Sequence, residues 1–417
     1  MTNYEWISAY QENLLGVFGQ PQACFTHGQG IRVWDTDGKE YLDLLGGIAV
    51  NALGYAHPEI VKTIHEQTGR FTHVSNFFTT PQQIEAAQAV KRICAAGWGN
   101  AVQAEIASQA RVLFVNSGTE ANEAALKMAL AARPGGRAIA LKGAFHGRTL
   151  GSLSLTYKAP YREPFAPFVG PTEFVAATVA GIEAVDPEGV SAIFLEPLQG
   201  EAGVIPLAPA VLAAARGLAD RAGALLVFDE VQTGMGRCGK WLAHQGINHD
   251  GKEIIPDVVT LAKGLGAGVP VGACVAMNER AASALKPGSH GTTFGGNPLV
   301  SAVVTRTINL MEELDLPGHA RAVGDAWMQA ITDAQILGIK ETRGQGLLRA
   351  LVLEKNIAPQ LAKELFEAGF IVNAPAANII RLAPPLIIEL SEALILIPAL
   401  KNTLKQIEKD LGKGEQL

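Results

Sequence analysis

Three short stretches hold the residue types that could do chemistry together: "VVTLAKGLGAGVP", "LLVFDEVQTG" and "VLFVNSGTEANEAALK". In the first, Lys263 follows an apolar run and is backed by a glycine-rich turn. Lysine is seldom buried unless it is paired or functional. To act as a nucleophile or form a Schiff base it must lose its proton near neutral pH, so an ordinary pKa of about 10.4 has to fall by roughly 3 units. Desolvation alone supplies about 3–5 units in a fully buried site. The alternative for a lysine at a strand end is a stem lying on apolar surface with its ammonium in water.

The second stretch ends in an acid pair, Asp229 and Glu230. A carboxylate at the C-terminal edge of a parallel strand faces the crevice where open α/β sheets bind ligands. In the third, Ser117, Gly118 and Thr119 stand where a strand stops and a helix starts. Free N–H groups and the positive end of the helix dipole make that junction an anion site, most often for phosphate. The same residues also read as a plain cap, because Ser117 and Glu120 spell S-x-x-E. A lysine, a fixed acid and a phosphate cup together fit one ligand, pyridoxal phosphate, whose ring is an electron sink and needs an acid beside its pyridinium nitrogen.

Gly234, Gly236 and Gly239 spell G-x-G-x-x-G, but a dinucleotide fingerprint has its first glycine at the strand end and its last at a helix start. Here "DEVQT" intervenes and "KWLAHQ" opens a helix poorly, so the match is accidental. Cys24, Cys94, Cys238 and Cys274 lie far apart, with neither metal-ligand nor disulfide-scaffold spacing, and no metal is expected. The net charge of −6 gives no reason to expect nucleic acid. No apolar run approaches a membrane span and the N-terminus lacks the pattern of a signal peptide, so a cytoplasmic protein is expected.

These residues need a frame. A chain of 417 residues exceeds what one hydrophobic core usually holds. With 48% hydrophobic and 18% charged residues, part of the apolar surplus is expected between subunits. "RVLFVNSG", "AIFLEPLQG" and "ALLVFDE" alternate with Ala-rich helical stretches, the pattern of a parallel sheet covered on both faces: an α/β fold. "GIRVWDTDGKEYLDLLGG" reads as a hairpin turning at Asp37-Gly38. After about Val303 a long helical stretch leads to "GLLRALVLE", "GFIVNAP" and "NIIRLAPPLII", short strands of a second, α+β domain. "SEALILIPALKNTLKQIEKDL" reads as one closing amphipathic helix. The divisions expected are 1–60, an N-terminal arm and part of a small domain; 61–305, the large domain; and 306–417, the rest of the small domain.

The motifs "GGIAVNALGYAHPEI", "NSGTEANEAALK", "FHGRTLGSLS", "LEPLQGEAGV", "FDEVQTGMGR", "LAKGLGAGVPVGA", "HGTTFGGNPL" and "RLAPPL" come in the order of one family. Through them the sequence resembles the class III, fold type I, pyridoxal-phosphate-dependent aminotransferases over nearly its whole length. That resemblance implies a large domain with a mostly parallel seven-stranded sheet between helices, and a smaller α+β domain from both chain ends. It implies that Lys263 carries the cofactor as a Schiff base and then shuttles a proton, with Asp229 as the partner of the pyridinium nitrogen. Phe145 is then the aromatic stacked on the ring, Ser117, Gly118 and Thr119 the phosphate loop, and Gln232 the residue near the phenolic oxygen. Thr293 is the phosphate ligand given by a neighbouring subunit, so a homodimer with a shared site is expected. Arg148 resembles the arginine that grips a substrate carboxylate, and Thr292 another substrate contact. Arg381 and Glu201 resemble a switch pair: the arginine takes the α-carboxylate of 2-oxoglutarate or glutamate, and Glu201 neutralises it while the other donor is bound. An ordinary strand-end ion pair is the alternative for Arg381. Arg237 matches a loop residue without a catalytic role.

Members of the class differ mainly in their donor. "HVSNFFTT", from His73 to Thr80, resembles the loop of family members acting on N-acetylornithine and lacks the tyrosine pattern of those acting on free ornithine. N-acetylornithine with 2-oxoglutarate, as in arginine biosynthesis, is therefore the expected pair; succinylated ornithine or diaminopimelate, ornithine and 4-aminobutyrate are the alternative donors. Three positions depart from the family's usual residues: Cys238 for threonine, Phe294 for tyrosine and Thr292 for serine. The change at 294 removes a hydroxyl donor from the pocket for the acyl end.

Overall fold

The structure is a computed structural model that describes residues 1–414. The last three residues of the expected C-terminal domain, 415–417, lie outside the described residues. Its centre is a seven-stranded sheet in the order Arg111–Val115, Gly272–Ala276, Val258–Leu261, Leu225–Asp229, Val190–Leu195, Arg137–Leu141 and Thr172–Val175. Only Gly272–Ala276 runs antiparallel to its neighbours. The inner strands are buried at every position, as "VSAIFL" and "LLVFD" require of a sheet covered on both faces.

Side-chain parity along Leu225–Asp229 decides which acid faces the site. Leu225 and Val227 pack toward the Ala-rich helix Gly118–Ala132, with Ala124, Ala125 and Ala129. Leu226 and Phe228 pack the other way, against Leu212, Ala215 and Leu218 of the helix Pro209–Ala222. Successive strand residues alternate faces. Asp229 therefore continues the Leu225 side, toward the start of Gly118–Ala132. Glu230 turns to the other, where its carboxylate meets His244 Nδ1 at 2.7 Å and Thr233 Oγ1.

The chain ends meet in smaller sheets. Arg32–Asp35 and Glu40–Asp43 form the expected hairpin, with Asp35 Oδ1 accepting from Asp37 N at 3.0 Å and Lys39 N at 2.9 Å. Ile339–Gln345, Leu348–Leu353, Ile379–Leu382 and Asn373–Ala376 make an antiparallel sheet. "GFIVNAP", expected as one strand, is shared between two sheets: Phe370–Ile371 runs parallel to Glu40–Asp43, while Asn373–Ala376 joins Ile379–Leu382. The closing helix is also split, into Leu390–Ala393 and Leu396–Gly414. Pro398 falls in the first turn of the second piece, where its missing N–H costs nothing, so the helix restarts there. A single helix, Pro298–Glu313, runs through residue 305.

One close approach sets the site. A Cβ on Gly272 would lie 2.2 Å from Ser117 O, so the antiparallel strand must carry glycine for the turn at Ser117 to rest on it. Gly272→Ala should cost about 1–3 kcal/mol of stability through overpacking. Urea unfolding of the two proteins measures it, and indistinguishable midpoints would contradict the packing described.

Candidate active site

At the C-terminal edge of the sheet lies a cavity of about 390 Å³. Ser117, Gly118, Thr119, Phe145 and Arg148 line it from one group of segments, and Glu201, Asp229, Gln232 and Lys263 from another. Arg381 sits behind it on the strand Ile379–Leu382, 2% exposed. Thr292 borders it through Asn116, whose Nδ2 donates to Thr292 Oγ1 at 3.0 Å. Thr293 does not line the cavity and is exposed to solvent.

Lys263 begins a short 3-10 turn with φ of 45°, in the left-handed region that costs a side-chain-bearing residue about 1–2 kcal/mol. The turn is closed by Leu265 N donating to Ala262 O at 3.0 Å. Among the described residues the Lys263 ammonium has no hydrogen-bond or ion-pair partner. Burial pushes its pKa down and Arg381 adds repulsion; Glu201, Asp229 and Glu196 oppose this only in part, leaving it at about 8. Lys263 is half-buried where it lines the cavity, and its lowered pKa follows from that burial and from the Arg381 charge, with no ion pair among the described residues to hold the ammonium.

Asp229 is fixed on both oxygens. Val231 N donates to Oδ1 at 3.0 Å, while Asn122 Nδ2 and His146 Nδ1 each lie 2.7 Å from Oδ2. Asn122 Nδ2 also donates to His146 O at 2.7 Å, and Asn122 Oδ1 accepts from Thr260 Oγ1 at 2.8 Å. Burial disfavours a charged His146, yet the Asp229 carboxylate outweighs it and raises the imidazole above its ordinary value. Neither Asn122 nor His146 was marked by the sequence reading, although His146 stands inside "FHGRT" between the two residues that were. Glu196 was missed as well. It is 4% exposed, and its two oxygens accept from Phe145 N at 3.0 Å and Gly200 N at 3.3 Å, tying the Phe145 segment to the one that carries Glu201. Burial, with Asp229 adding to it, pushes Glu196 up to about 7.

The helix start at Ser117 is both a cap and a cup. Ser117 Oγ accepts from Glu120 N at 3.3 Å, but Glu120 turns its carboxylate to Asn116 N at 2.9 Å, so the reciprocal half of the capping box is not made. The N–H groups of Gly118 and Thr119 precede the first intrahelical bond, which Ala121 donates to Ser117 O at 3.1 Å. Gly118 must be glycine, because a Cβ would lie 2.6 Å from Val231 Cγ1. Thr119 Oγ1 accepts from Arg148 N at 3.2 Å and Thr149 N at 3.3 Å, which couples the cup to the loop bearing Arg148.

Arg381 donates to Glu201, to Gln232 Oε1 at 3.2 Å and to Asn373 Oδ1 at 2.8 Å. Burial would raise Glu201, and the Arg381 charge more than reverses it, so the carboxylate is held below its ordinary value. Arg148 is the opposite case. It is exposed, and among the described residues its guanidinium has no hydrogen-bond or ion-pair partner.

These residues fit pyridoxal phosphate: an unpaired lysine amine, a carboxylate with its oxygens fixed, an aromatic face at Phe145 and a glycine-bearing helix start share one cavity. Among the described residues no group of three or more His, Cys, Asp or Glu could hold a metal ion. The G-x-G-x-x-G glycines lie in a run of turns after Asp229 and open no helix.

The family model for class-III aminotransferases matches residues 18–404. An acetylornithine aminotransferase of Corynebacterium efficiens is 43% identical over 407 residues, 96% of this chain and 97% of that protein. Among solved structures, the ornithine aminotransferase of Toxoplasma gondii superposes with a TM-score of 0.87 at 30% identity, covering 98% of this chain and 96% of that one. The acetylornithine aminotransferase of Elizabethkingia anophelis has a TM-score of 0.81 at 28% identity, covering 97% and 99%.

Glu196 offers a test of the buried electrostatics. Its folded pKa lies above the carboxylate's ordinary value of 4.5, so the folded state binds the extra proton between the two, and stability falls as pH rises from about 4.5 to about 7. Glu196→Gln removes that dependence. The stability of the variant relative to the parent should improve by on the order of 2 kcal/mol between pH 5 and pH 8 in urea titrations. A difference that does not change with pH would contradict the burial described.

Proposed function

The chain belongs to the class-III aminotransferases, whose cofactor is pyridoxal 5'-phosphate, and we propose that it transfers the δ-amino group of N2-acetyl-L-ornithine to 2-oxoglutarate, giving N-acetyl-L-glutamate 5-semialdehyde and L-glutamate. The carrying observation is the pairing of Arg381 with Glu201 beside Lys263 while a second arginine, Arg148, stands unpaired in the same cavity. A donor with one carboxylate and a distal amine needs one arginine. An acceptor with two carboxylates needs both.

When bound, the cofactor supplies an electron sink for the pair left as the C–H bond beside the reacting nitrogen breaks. Ser117, Gly118 and Thr119 would hold its phosphate, Phe145 its ring face, Gln232 the region of its phenolic oxygen, and Asp229 a proton on its ring nitrogen. Lys263, with its pKa at about 8, is neutral in a useful fraction near neutral pH, and its Nζ can take the proton from the δ-carbon of the donor and would pass it to the cofactor rather than back to the donor. Arg148 holds the donor's α-carboxylate in a planar fork that lysine would not reproduce. Glu201 meanwhile keeps Arg381 neutralised, which excludes a second anion. When 2-oxoglutarate enters, its α-carboxylate displaces Glu201 from Arg381 and its distal carboxylate takes Arg148, so two unlike substrates share one pocket in turn.

The site is completed in a homodimer in this reading. Thr293 of a second copy would supply the phosphate ligand, and the face that carries it is rich in exposed aromatics: Phe77 is 94%, Phe78 71% and Phe294 61% exposed. The loop containing Asn76 leans on this face, its Nδ2 donating to Thr292 O at 3.2 Å and Gly295 O at 3.3 Å. A second reading, with free ornithine as donor, is favoured by the likeness to the Toxoplasma ornithine enzyme. The higher identity to a relative named for acetylornithine and the absence of the tyrosine pattern near Asn76 support the first.

Glutamate formation from 2-oxoglutarate with N-acetylornithine, N-succinylornithine, ornithine and 4-aminobutyrate, each at several concentrations, tests the donor. Highest kcat/KM with N-acetylornithine is expected, and a preference for ornithine or 4-aminobutyrate would overturn that choice. Arg381→Ala should raise the KM for 2-oxoglutarate by about tenfold or more and that for the donor far less, as expected for lost binding of one substrate. Equal rises in both would contradict the two-arginine arrangement. Lys263→Ala should lower turnover by about a thousandfold or more, and near-normal turnover in a steady-state assay would remove Lys263 from its role.

A further inference from the structure

Arg148 has to present its fork in a fixed direction, yet among the described residues nothing accepts a hydrogen bond from its guanidinium. A carboxylate partner would hold it but would consume the donors the substrate needs. What holds it instead is aromatic. The Arg148 guanidinium carbon lies 3.5 Å from the ring centroid of Tyr161 and 5.5 Å from that of Phe145. A ring face attracts a cation through its quadrupole. Because that contact uses the face of the planar guanidinium, the N–H groups pointing outward in its plane stay open for a carboxylate.

Tyr161 is placed for this by a segment tied to the site. It lies in the short helix Ala159–Arg162, and just before it Tyr157 N donates to Ala144 O at 2.8 Å, next to Phe145. The Tyr157 ring packs edge-on against Phe174, with centroids 5.5 Å apart, anchoring the same segment to the sheet. On the other side, Arg148 N is bonded to Thr119 Oγ1. Backbone and side chain of Arg148 are thus fixed by two different segments. Tyr161 itself does not line the cavity.

We propose that Tyr161 is a positioning residue for the donor carboxylate, acting through Arg148 by holding its guanidinium flat with the fork open. This rests on the reading of Arg148 as the donor's carboxylate grip. It predicts that the ring matters and the hydroxyl does not, so Phe replaces Tyr while Leu or Gln does not.

The test uses the cofactor-loaded enzyme and its Tyr161→Phe, Tyr161→Leu, Tyr161→Gln and Arg148→Leu variants. Two quantities are measured: KM and kcat for whichever of N-acetylornithine, ornithine and 4-aminobutyrate the parent turns over best, and the calorimetric Kd for that donor's analogue lacking the reacting amine, N-acetylnorvaline in the first case. Loss of the ring should raise both KM and Kd about fivefold, in the range of one cation–π contact, with kcat within about twofold. Arg148→Leu should raise them further, and Tyr161→Phe should match the parent. Unchanged Kd in both ringless variants would overturn the proposal, as would a Phe variant that behaves like them, or ringless variants that lose kcat and binding alike. A parent that prefers a donor other than N-acetylornithine corrects the donor reading alone, since each donor carries a carboxylate and the comparison of variants is still made.

Discussion

A half-buried Lys263 ammonium set beside the Arg381 charge is the constraint around which the site is built. Burial and the nearby Arg381 charge both favour the neutral amine, while Glu201, Asp229 and Glu196 limit how far the pKa falls. Each of those charges must in turn be satisfied. Arg381 is held by Glu201, Gln232 and Asn373, and Asp229 by a backbone N–H, Asn122 and His146. An uncompensated buried charge would cost several kcal/mol, so the network around the lysine is a requirement of folding as much as of chemistry.

The sheet makes this arrangement possible because it delivers the participants from separate strands to one edge. Leu225–Asp229 ends at the acid, Val258–Leu261 leads into the lysine turn, and Arg111–Val115 leads into the phosphate cup. Gly272 and Gly118 permit the close approaches that bring the cup to its place. Arg381 comes from the other sheet, which the C-terminal segment forms. The pairing of Arg381 with Glu201 therefore joins the two parts of the chain at the point where substrate would enter.

What could be read from the residues alone was whatever depended on local pattern. Continuous apolar strands pointed to the covered sheet, the strand end to an acid pair and the Gly-rich turn to Lys263, while the direction of each acid followed from the packing of Leu225–Asp229. What could not be read were partners brought in by tertiary contact. Asn122 and His146 reach Asp229 from 107 and 83 positions away, and a histidine inside a quoted motif carries no local sign that it will bind an acid. Glu196 is likewise set by two backbone N–H groups that only the fold aligns. The divided strand at Phe370–Ala376 and the helix restarting before Pro398 escaped for the same reason: local periodicity does not say which sheet a residue joins, or where a helix breaks.

The charge on Lys263 decides whether the site can move a proton near neutral pH. In apoprotein carrying lysine labelled at the ε-carbon, with Lys263→Arg to assign its signal, the chemical shift of Lys263 against pH gives its titration directly. A midpoint near 8, moving upward in Arg381→Leu as the repelling charge is removed, is the result predicted here. A midpoint near 10.5 that is indifferent to Arg381 would mean an ordinary solvated ammonium, and would contradict the electrostatic design on which the site depends.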